Sequence, residues 1–243
     1  MTTKELANKI AALIGHHPHE LIENADDVSL VMEKYKALLS QGKAEGFTPL
    51  IVVPSETLLE ALEYAKEEQD FEAIISKSYE VDISVFFERR IKEASFDGEY
   101  EVDLASEDSD ANNGEALNIF LSLTDYTTNR PYPVLMVVKI PTTNPWELAA
   151  YIPMGGFNDC PMPQEQVAVF KYWYEKYGVR PAVVSYDIWE LYVEKPVKTM
   201  DDANALAMEQ FGFCSDIVHQ GVGSVKALAN GLVNSSIWYF WWD

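Results

Sequence analysis

The sequence lacks several features that would assign a chain to a large class of proteins. No apolar run approaches the roughly 20 residues that a membrane-spanning helix needs. The opening residues, Thr2-Thr3-Lys4, begin a polar and amphipathic segment rather than the apolar core of a signal peptide. Two cysteines in 243 residues are too few for a disulfide framework. We therefore expect a cytoplasmic protein with reduced thiols and no contact with membranes.

Motifs for nucleotide chemistry and for hydrolysis are also missing. The sequence contains no phosphate-binding loop, no dinucleotide fingerprint and no GxSxG turn. Gly221-Val222-Gly223-Ser224 could present backbone amides to an anion, but it lacks the preceding strand and the lysine of a phosphate-binding loop. A helix that begins with Ser224 as its N-cap explains the segment equally well. We expect no cofactor.

Basic residues are scarce. The chain has 18 Lys and Arg against 39 Asp and Glu, which gives a net charge of −21. Such a field repels nucleic-acid backbones and speeds association with a basic protein, although acidity can also serve solubility alone. The stretch 96–115 has many acidic residues and no basic one. It is predicted to be an exposed loop, or a weak strand that runs into a loop.

The hydrophobic content of 48% is enough for a large core. Apolar residues at helical spacing predict helices, and short continuous apolar runs predict strands. The predicted helices are 4–14, 28–39, 55–64, 83–91, 144–150, 163–177, 201–218 and 224–233. The predicted strands or extended segments are 49–53, 71–75, 116–123, 134–140, 181–193 and 237–243.

These elements predict an α/β fold with a mixed β-sheet and packed helices. The strands 49–53 and 71–75 flank a helix and form a candidate βαβ unit. The runs 116–123 and 134–140 are expected to pair antiparallel, because Asn129-Arg130-Pro131 lies in the turn between them. The chain forms either two domains, 1–135 and 136–243, or one continuous fold.

The chain ends with the aromatic segment Ile237-Trp238-Tyr239-Phe240-Trp241-Trp242-Asp243. In water such a segment would be an aggregation hazard, so it must be locked into the fold. We expect a strand of the sheet that is internal or well covered, with alternate residues on its two faces.

A dense set of distinctive residues lies in the last hundred positions. They are Pro145-Trp146-Glu147, the loop Gly155-Gly156-Phe157-Asn158-Asp159-Cys160-Pro161, Trp173, Tyr177-Gly178, Asp201, Ala203, Leu206-Ala207, Glu209-Gln210-Phe211, Cys214, Asp216-Ile217-Val218, Gln220-Gly221 and Trp238 to Asp243. In these residues the segment from about 137 to 243 resembles the domain of unknown function 4253 family of bacterial proteins. The family has no established activity, so the resemblance implies no catalytic role. The first 135 residues carry no motif that we can assign.

We predict a candidate pocket where the loop 155–161 meets the helix from 201. Its glycines allow a close backbone approach, and its polar groups would face helical carboxylates. The candidate pocket residues are Asn158, Asp159, Cys160, Glu209, Asp216 and Gln220. On one continuous helix, Glu209, Asp216 and Gln220 would share a stripe. The competing interpretation is a buried hydrogen-bonded network that holds the loop.

Cys160 and His219 are the candidates for nucleophilic chemistry. A thiol just before a helix that begins at Pro163 could have a lowered pKa and act as a nucleophile, with His219 as its base. The competing interpretation is a rigid turn, stiffened by Pro161 and Pro163, around a buried structural thiol.

Metal binding has little support, and we predict no metal site. Cys160, Cys214, Asp216 and His219 could converge, but no CxxC or HxxxH spacing accompanies them. The histidines in 16–19 follow a helix end and are interpreted as solvated. Asp108, Asp110 and Asn112 imitate the start of a calcium-binding loop, but Gly114 is one position late and Ile119 replaces the terminal glutamate.

Two functions are compatible with these observations. The first is a non-enzymatic acidic interaction protein, for example an immunity protein or an antitoxin, that binds and blocks a basic protein partner. The alternative is a small enzyme, for example a hydrolase, with a pocket formed by Cys160 and by Glu209 and Asp216. The lack of a recognisable catalytic set favours the first.

Overall fold

The computed structural model describes residues 1–23, 25, 27–97, 100–101 and 115–243. The α-helices are α1 (Thr3–Leu13), α2 (Val28–Glu45), α3 (Glu56–Glu68), α4 (Phe71–Ser78), α5 (Ile83–Ala94), α6 (Leu148–Tyr151), α7 (Pro163–Tyr177), α8 (Met200–Phe213) and α9 (Val225–Leu232). A 3-10 helix (Pro145–Glu147) precedes α6, and a π-helical turn (Ile217–Val222) lies between α8 and α9. Within the described residues, no helix combines the length and the apolar character needed to cross a membrane.

The strands are β1 (His19–Glu23), β2 (Thr48–Val52), β3 (Phe96–Asp97), β4 (Tyr100–Glu101), β5 (Thr124–Asp125), β6 (Arg130–Pro131), β7 (Val134–Ile140), β8 (Val179–Val184), β9 (Ile188–Val193) and β10 (Ile237–Trp241). Six of them form one sheet in the order β1-β7-β2-β8-β9-β10, while β3 with β4 and β5 with β6 form two small hairpins. In the large sheet β2 and β8 are parallel, and the other neighbours are antiparallel. The predicted mixed α/β fold is confirmed.

Helices cover both faces of the sheet. Leu50 and Val52 of β2 pack into the larger core with α1, α3 to α5 and α7 to α9. Ile51 and Val53 pack into a smaller core with α2 and with Phe120. Every residue of β2 is buried, which confirms the prediction of a strand covered on both faces. The sheet combines strands from both sides of the predicted boundary at 135, which falls inside β7; the division into two domains stays a prediction.

Local signals place several helices where the sequence predicts them. The Ser55 side chain accepts a hydrogen bond from the Leu58 amide at the start of α3. Ser224 caps α9 in the same way by accepting from the Ala227 amide. Gly178 ends α7 with a φ of 66°, a left-handed conformation that glycine adopts without strain.

Two strand predictions are wrong. Residues 71–75 belong to helix α4, whose N-cap Asp70 accepts a hydrogen bond from the Ala73 amide. The βαβ unit is therefore also wrong, because the parallel partner of β2 is the distant strand β8. Residues 116–123 are irregular rather than a strand, and β7 pairs with β1 and β2 instead. Asp108, Asp110 and Asn112 lie outside the described residues.

The helix predicted over 201–218 is interrupted. Helix α8 ends at Phe213, and Cys214 has an extended backbone with a φ of −148°. The π-helical turn that follows changes the direction of the side chains beyond it. The predicted stripe that joins Glu209 with Asp216 and Gln220 therefore does not exist.

The aromatic terminus forms β10, which is hydrogen-bonded to β9 at the edge of the sheet. It is not internal, but it is well covered. Trp238, Phe240 and Trp242 are 1%, 0% and 2% exposed. The Phe240 ring stacks on Trp173 of α7 at 5.5 Å between ring centroids. Packing against helices thus takes the place of a second neighbouring strand.

Candidate functional site

The loop 155–161 is a rigid turn. Gly155, Gly156, Asn158 and Asp159 all have positive φ angles, from 41° to 140°. This backbone is closed by a hydrogen bond of 2.7 Å from the Cys160 amide to the Phe157 carbonyl oxygen. Positive φ is uncommon for residues other than glycine and indicates that the surroundings enforce it.

Gln166 of α7, which was not predicted as a site residue, holds this loop. Its Nε2 donates to the carbonyl oxygens of Met154 at 2.6 Å and Pro161 at 2.8 Å. Its Oε1 accepts from Trp189 Nε1 at 2.8 Å, and the side chain is fully buried. A Cβ atom on Gly155 would collide with the Pro161 carbonyl oxygen. Glutamine at the fourth position of a helix that begins at Pro163 was the only signal in the sequence.

Both cysteine thiols are buried, that of Cys160 behind the loop and that of Cys214 in the core. Cys160 Sγ lies 3.6 Å from Met154 Sδ, and burial raises the pKa of this thiol well above its usual value. Cys214 Sγ donates to the Trp241 carbonyl oxygen at 3.0 Å, and burial raises its pKa to about 12. Since the thiolate is the nucleophile, neither cysteine is activated. His219 has its Nε2 3.0 Å from the Ala94 carbonyl oxygen.

Glu209 faces α7 rather than the loop. One carboxylate oxygen accepts from Tyr172 Oη at 2.8 Å and from Lys176 Nζ at 2.9 Å, and the other accepts from Trp173 Nε1 at 2.9 Å. The Glu209 side chain is 15% exposed, and both of its carboxylate oxygens accept hydrogen bonds. It ties α8 to α7, a structural role that is different from lining a pocket.

Asp159 and Asp216 do lie together, in a polar cavity of about 290 Å³. The cavity is lined by Arg90, Glu93, Ala94, Asp159, Ser215, Asp216 and His219. Asp216 accepts hydrogen bonds from Gln220 Nε2 at 3.3 Å and from the Asp243 amide at 3.1 Å. Arg90 donates to the Gly212 carbonyl oxygen at 3.2 Å and to the Asp159 carbonyl oxygen.

The structure therefore divides the predicted pocket. Asp159 and Asp216 share the cavity, and Gln220 is bonded to Asp216. Cys160 is buried, and Glu209 is bonded to α7. Asn158 lines a different cavity, together with Tyr186, Asp187 and Trp242. Arg90, which was not predicted, comes from α5 and balances part of the acidic charge. The described residues include no group of three His, Cys, Asp or Glu placed to hold a metal ion.

Another polar cluster lies at the carboxyl ends of the parallel strands β2 and β8, the edge where open α/β sheets bind ligands. Ser185 Oγ donates to Asp187 Oδ1 at 2.7 Å, and burial raises the pKa of Asp187. Nearby, Glu190 of β9 accepts from the amides of Leu121 at 2.7 Å and Ser122 at 3.1 Å. Burial raises the pKa of Glu190 to about 7. These carboxyl groups are held in structural networks.

Residues 136–243 match the model of a family described as Domain of unknown function (DUF4253). Over this segment, which we call the DUF4253 domain, the chain is similar to that family. The resemblance found in the sequence is thus confirmed over nearly the same range. Comparison with curated proteins and with solved structures gives no match. The loop 155–161, Gln166, both cysteines and β10 all lie within the DUF4253 domain, while Arg90 lies outside it.

Helix α3 also lies outside the DUF4253 domain and carries an exposed acidic surface. Glu56, Glu60, Glu63 and Glu67 follow one side of the helix at spacings of four, three and four, and all are exposed. Tyr64 is 68% exposed, and Glu60, Glu67 and Glu68 are its helical neighbours at i−4, i+3 and i+4. We call these six residues the α3 face: Glu56, Glu60, Glu63, Tyr64, Glu67 and Glu68.

The carboxylates of the α3 face are largely unpaired. Glu56 lies 3.7 Å from the N-terminal amine of Met1. In the part of the chain that the structure describes, Glu60, Glu63, Glu67 and Glu68 make no ion pair. The one basic residue of α3, Lys66, donates to the Leu13 carbonyl oxygen of α1 instead.

Proposed function

We propose that the protein is a non-enzymatic acidic interaction protein that binds a basic segment of a partner protein through the α3 face. The observation that carries the proposal is Tyr64, which is 68% exposed and has three unpaired carboxylates as its helical neighbours. An exposed aromatic side chain gives a binding surface apolar contact area, and tyrosine is enriched among the residues that contribute most to protein interfaces.

The chemistry of this surface suits lysine and arginine. The ammonium or guanidinium group of a partner would bond to Glu60, Glu67 or Glu68, while its aliphatic stem would pack on the Tyr64 ring. The net charge of −21 would attract such a partner over a distance and increase the association rate. Lysine and arginine therefore define the class of partner.

An immunity protein or an antitoxin, which blocks a basic partner by covering it, is the kind of protein that this proposal describes. The proposal includes a cytoplasmic location, where both free cysteines stay reduced. The alternative, a small enzyme with a pocket of Cys160 and of Glu209 and Asp216, has no supporting contact. Burial raises the pKa of Cys160, and Glu209 points to α7.

The test is affinity capture from lysate of the cells that encode the chain, at low and at high salt. Wild type is compared with the variant Glu60→Gln, Glu63→Gln, Glu67→Gln, and with Tyr64→Ala. We expect a basic protein to bind wild type at low salt and to be released as salt rises. For that purified partner, the triple variant and Tyr64→Ala should each lower the affinity by about tenfold or more.

The matched control is Glu33→Gln, Glu88→Gln, Glu175→Gln, which removes the same charge from exposed positions outside the α3 face. This control variant should still bind the partner, and only the salt dependence of binding should change slightly. If both triple variants weaken binding equally, net charge rather than the α3 face is responsible. If no protein binds wild type at low salt, the proposal is wrong.

A further inference from the structure

An apolar cavity with a volume of about 490 Å³ lies beside β10, within the DUF4253 domain. It is bounded by β10, α9, the π-helical turn and the segment 115–121. Its wall is mainly apolar and includes Leu121, Ile217, Val222, Leu228, Ile237 and Trp241. Its volume falls in the range of about 300–1,000 Å³ that is typical of small-molecule sites.

Two polar groups at this wall have no partner. Gln210 Nε2 and Trp238 Nε1 make no hydrogen bond in the described structure, although each residue is only 1% exposed. Two other buried indoles are paired, since Trp173 Nε1 donates to Glu209 and Trp189 Nε1 donates to Gln166. Trp242 Nε1, which does not line this cavity, is also unpaired in the described structure. Native proteins pair most buried donors, because an unpaired one costs about 1–3 kcal/mol.

The charges around the cavity restrict the ligand that it can take. None of its lining residues is basic, and Glu115 lies at its wall. The buried Glu190 carboxyl group is bonded to the amide of Leu121, another lining residue. A ligand carboxylate would therefore be buried without a cation, at a high cost. A cationic ligand would face two hydrogen-bond donors and no buried acceptor placed to bind it.

We propose that this cavity binds a neutral, mostly apolar small molecule whose carbonyl or hydroxyl oxygen accepts hydrogen bonds from Gln210 Nε2 and Trp238 Nε1. The apolar wall supplies the contact area, and the two donors fix the position of the oxygen. The proposal is independent of the α3 face, which belongs to another part of the molecule.

The binding test uses Nile red, a neutral dye that carries a carbonyl group and fluoresces in apolar surroundings. Octanamide, octane and octanoate, which share a chain length, then compete for the site. We expect Nile red to bind wild type, and octanamide to displace it at a concentration about tenfold lower than octane or octanoate does. Equal displacement by octanamide and octane would overturn the role of the two donors.

Variants locate the site. Gln210→Leu removes one unpaired donor at nearly constant volume, so it should not lower the melting temperature. Trp238→Phe removes the other donor together with one ring of a buried indole, so it should lower the melting temperature while the chain stays folded. Together they should abolish the tenfold preference for octanamide over octane. Leu228→Trp should fill the cavity and weaken Nile red binding by about tenfold or more, whereas the exposed control Leu30→Trp should not. Unchanged selectivity in the donor variants, or unchanged Nile red binding in a folded Leu228→Trp variant, would refute the proposal.

Discussion

In β10 the side chains of Trp238 and Phe240 are at most 1% exposed, whereas in α3 the Tyr64 ring is 68% exposed. The aromatic residues of β10 contact the rings of α7 and α8, such as Trp173 and Phe213. The one aromatic residue of α3, Tyr64, lies among exposed carboxylates. The two segments thus carry equally distinctive sequence patterns, but only one pattern is accounted for by packing.

The difference separates residues that the fold requires from residues that it does not. Helix α3 is anchored by Leu58, Leu59 and Leu62, which are all buried. That apolar stripe is sufficient to hold an amphipathic helix on the core. Its outer side tolerates many polar residues, so the run of unpaired glutamates around Tyr64 calls for an explanation other than folding. We therefore propose α3 as the binding surface.

The largest expected effect is the loss of β10. Deletion of residues 237–243 should abolish folding, because it uncovers the rings of α7 and α8 as well as removing the terminal rings. Each large buried side chain contributes roughly 1.5–3 kcal/mol, against a total stability of about 5–15 kcal/mol. Circular dichroism during heating measures the outcome. A soluble truncated chain that melts cooperatively would show that the aromatic strand is dispensable.

The second effect concerns Gln166, which connects the loop 155–161 to β9. Gln166→Leu should destabilise the protein by about 3 kcal/mol or more, because Trp189 Nε1 and the carbonyl oxygens of Met154 and Pro161 lose their partner. The matched control is Gln164→Leu on the same helix, since Gln164 Oε1 makes no hydrogen bond in the described structure. Urea unfolding compares the two. Equal losses would mean that the Gln166 network does not stabilise the loop.

Prediction from sequence succeeded where the signal is local. The start of α3 at Ser55 and the end of α7 at Gly178 depend on a cap or a turn within a few residues, and both are confirmed. The strand β2 was identified because its apolar run is short and continuous. The same rule failed for 71–75, where the apolar run is part of an amphipathic helix. Asp70 was the overlooked cap.

The parts of the fold and of the site that were not predicted depend on contacts between distant segments. No local signal shows that β2 is parallel to β8, or that β7 lies between β1 and β2. The predicted stripe of Glu209, Asp216 and Gln220 was wrong for the same reason. A single helix was assumed beyond Phe213, and the extended backbone of Cys214 separates Glu209 from Asp216. Arg90 and Gln166 reach the loop from other helices, which a sequence pattern does not reveal.

A third, intermediate effect is a pH dependence caused by Glu190. Burial raises its pKa to about 7 from an ordinary value of 4.5. The folded chain then holds this proton more tightly than the unfolded chain does. The stabilisation is fully present below about pH 4.5 and is lost as the pH rises through about 7, a change of about 3 kcal/mol.

Glu190→Gln tests this because the amide imitates the protonated carboxyl group. Relative to wild type, we expect the variant to gain stability between about pH 5 and about pH 8. Thermal melts at both pH values measure the difference, with the exposed Glu175→Gln as a control that should show no such trend. A difference between Glu190→Gln and wild type that does not vary with pH would contradict a raised pKa at this site.

The smallest effect is the most informative about α3. Glu56, Glu60, Glu63 and Glu67 are neighbours at i,i+3 or i,i+4, and like charges at these spacings destabilise a helix slightly. The variant Glu60→Gln, Glu63→Gln, Glu67→Gln should therefore raise the melting temperature by about 2–4 °C at low salt, and by less at high salt. Carboxylates that repel one another at an exposed site lower the stability of the fold, and such a loss of stability is common at binding sites.

The control Glu33→Gln, Glu88→Gln, Glu175→Gln changes the net charge by the same amount. Its effect on the melting temperature should have the opposite sign. Each of these glutamates has a lysine three or four positions away on its own helix, namely Lys36, Lys92 and Lys171. Neutralising them removes attraction rather than repulsion, so the melting temperature should fall slightly. If the α3 variant also melts lower than wild type, its glutamates stabilise the fold, and the contrast between α3 and β10 on which the proposed function depends disappears.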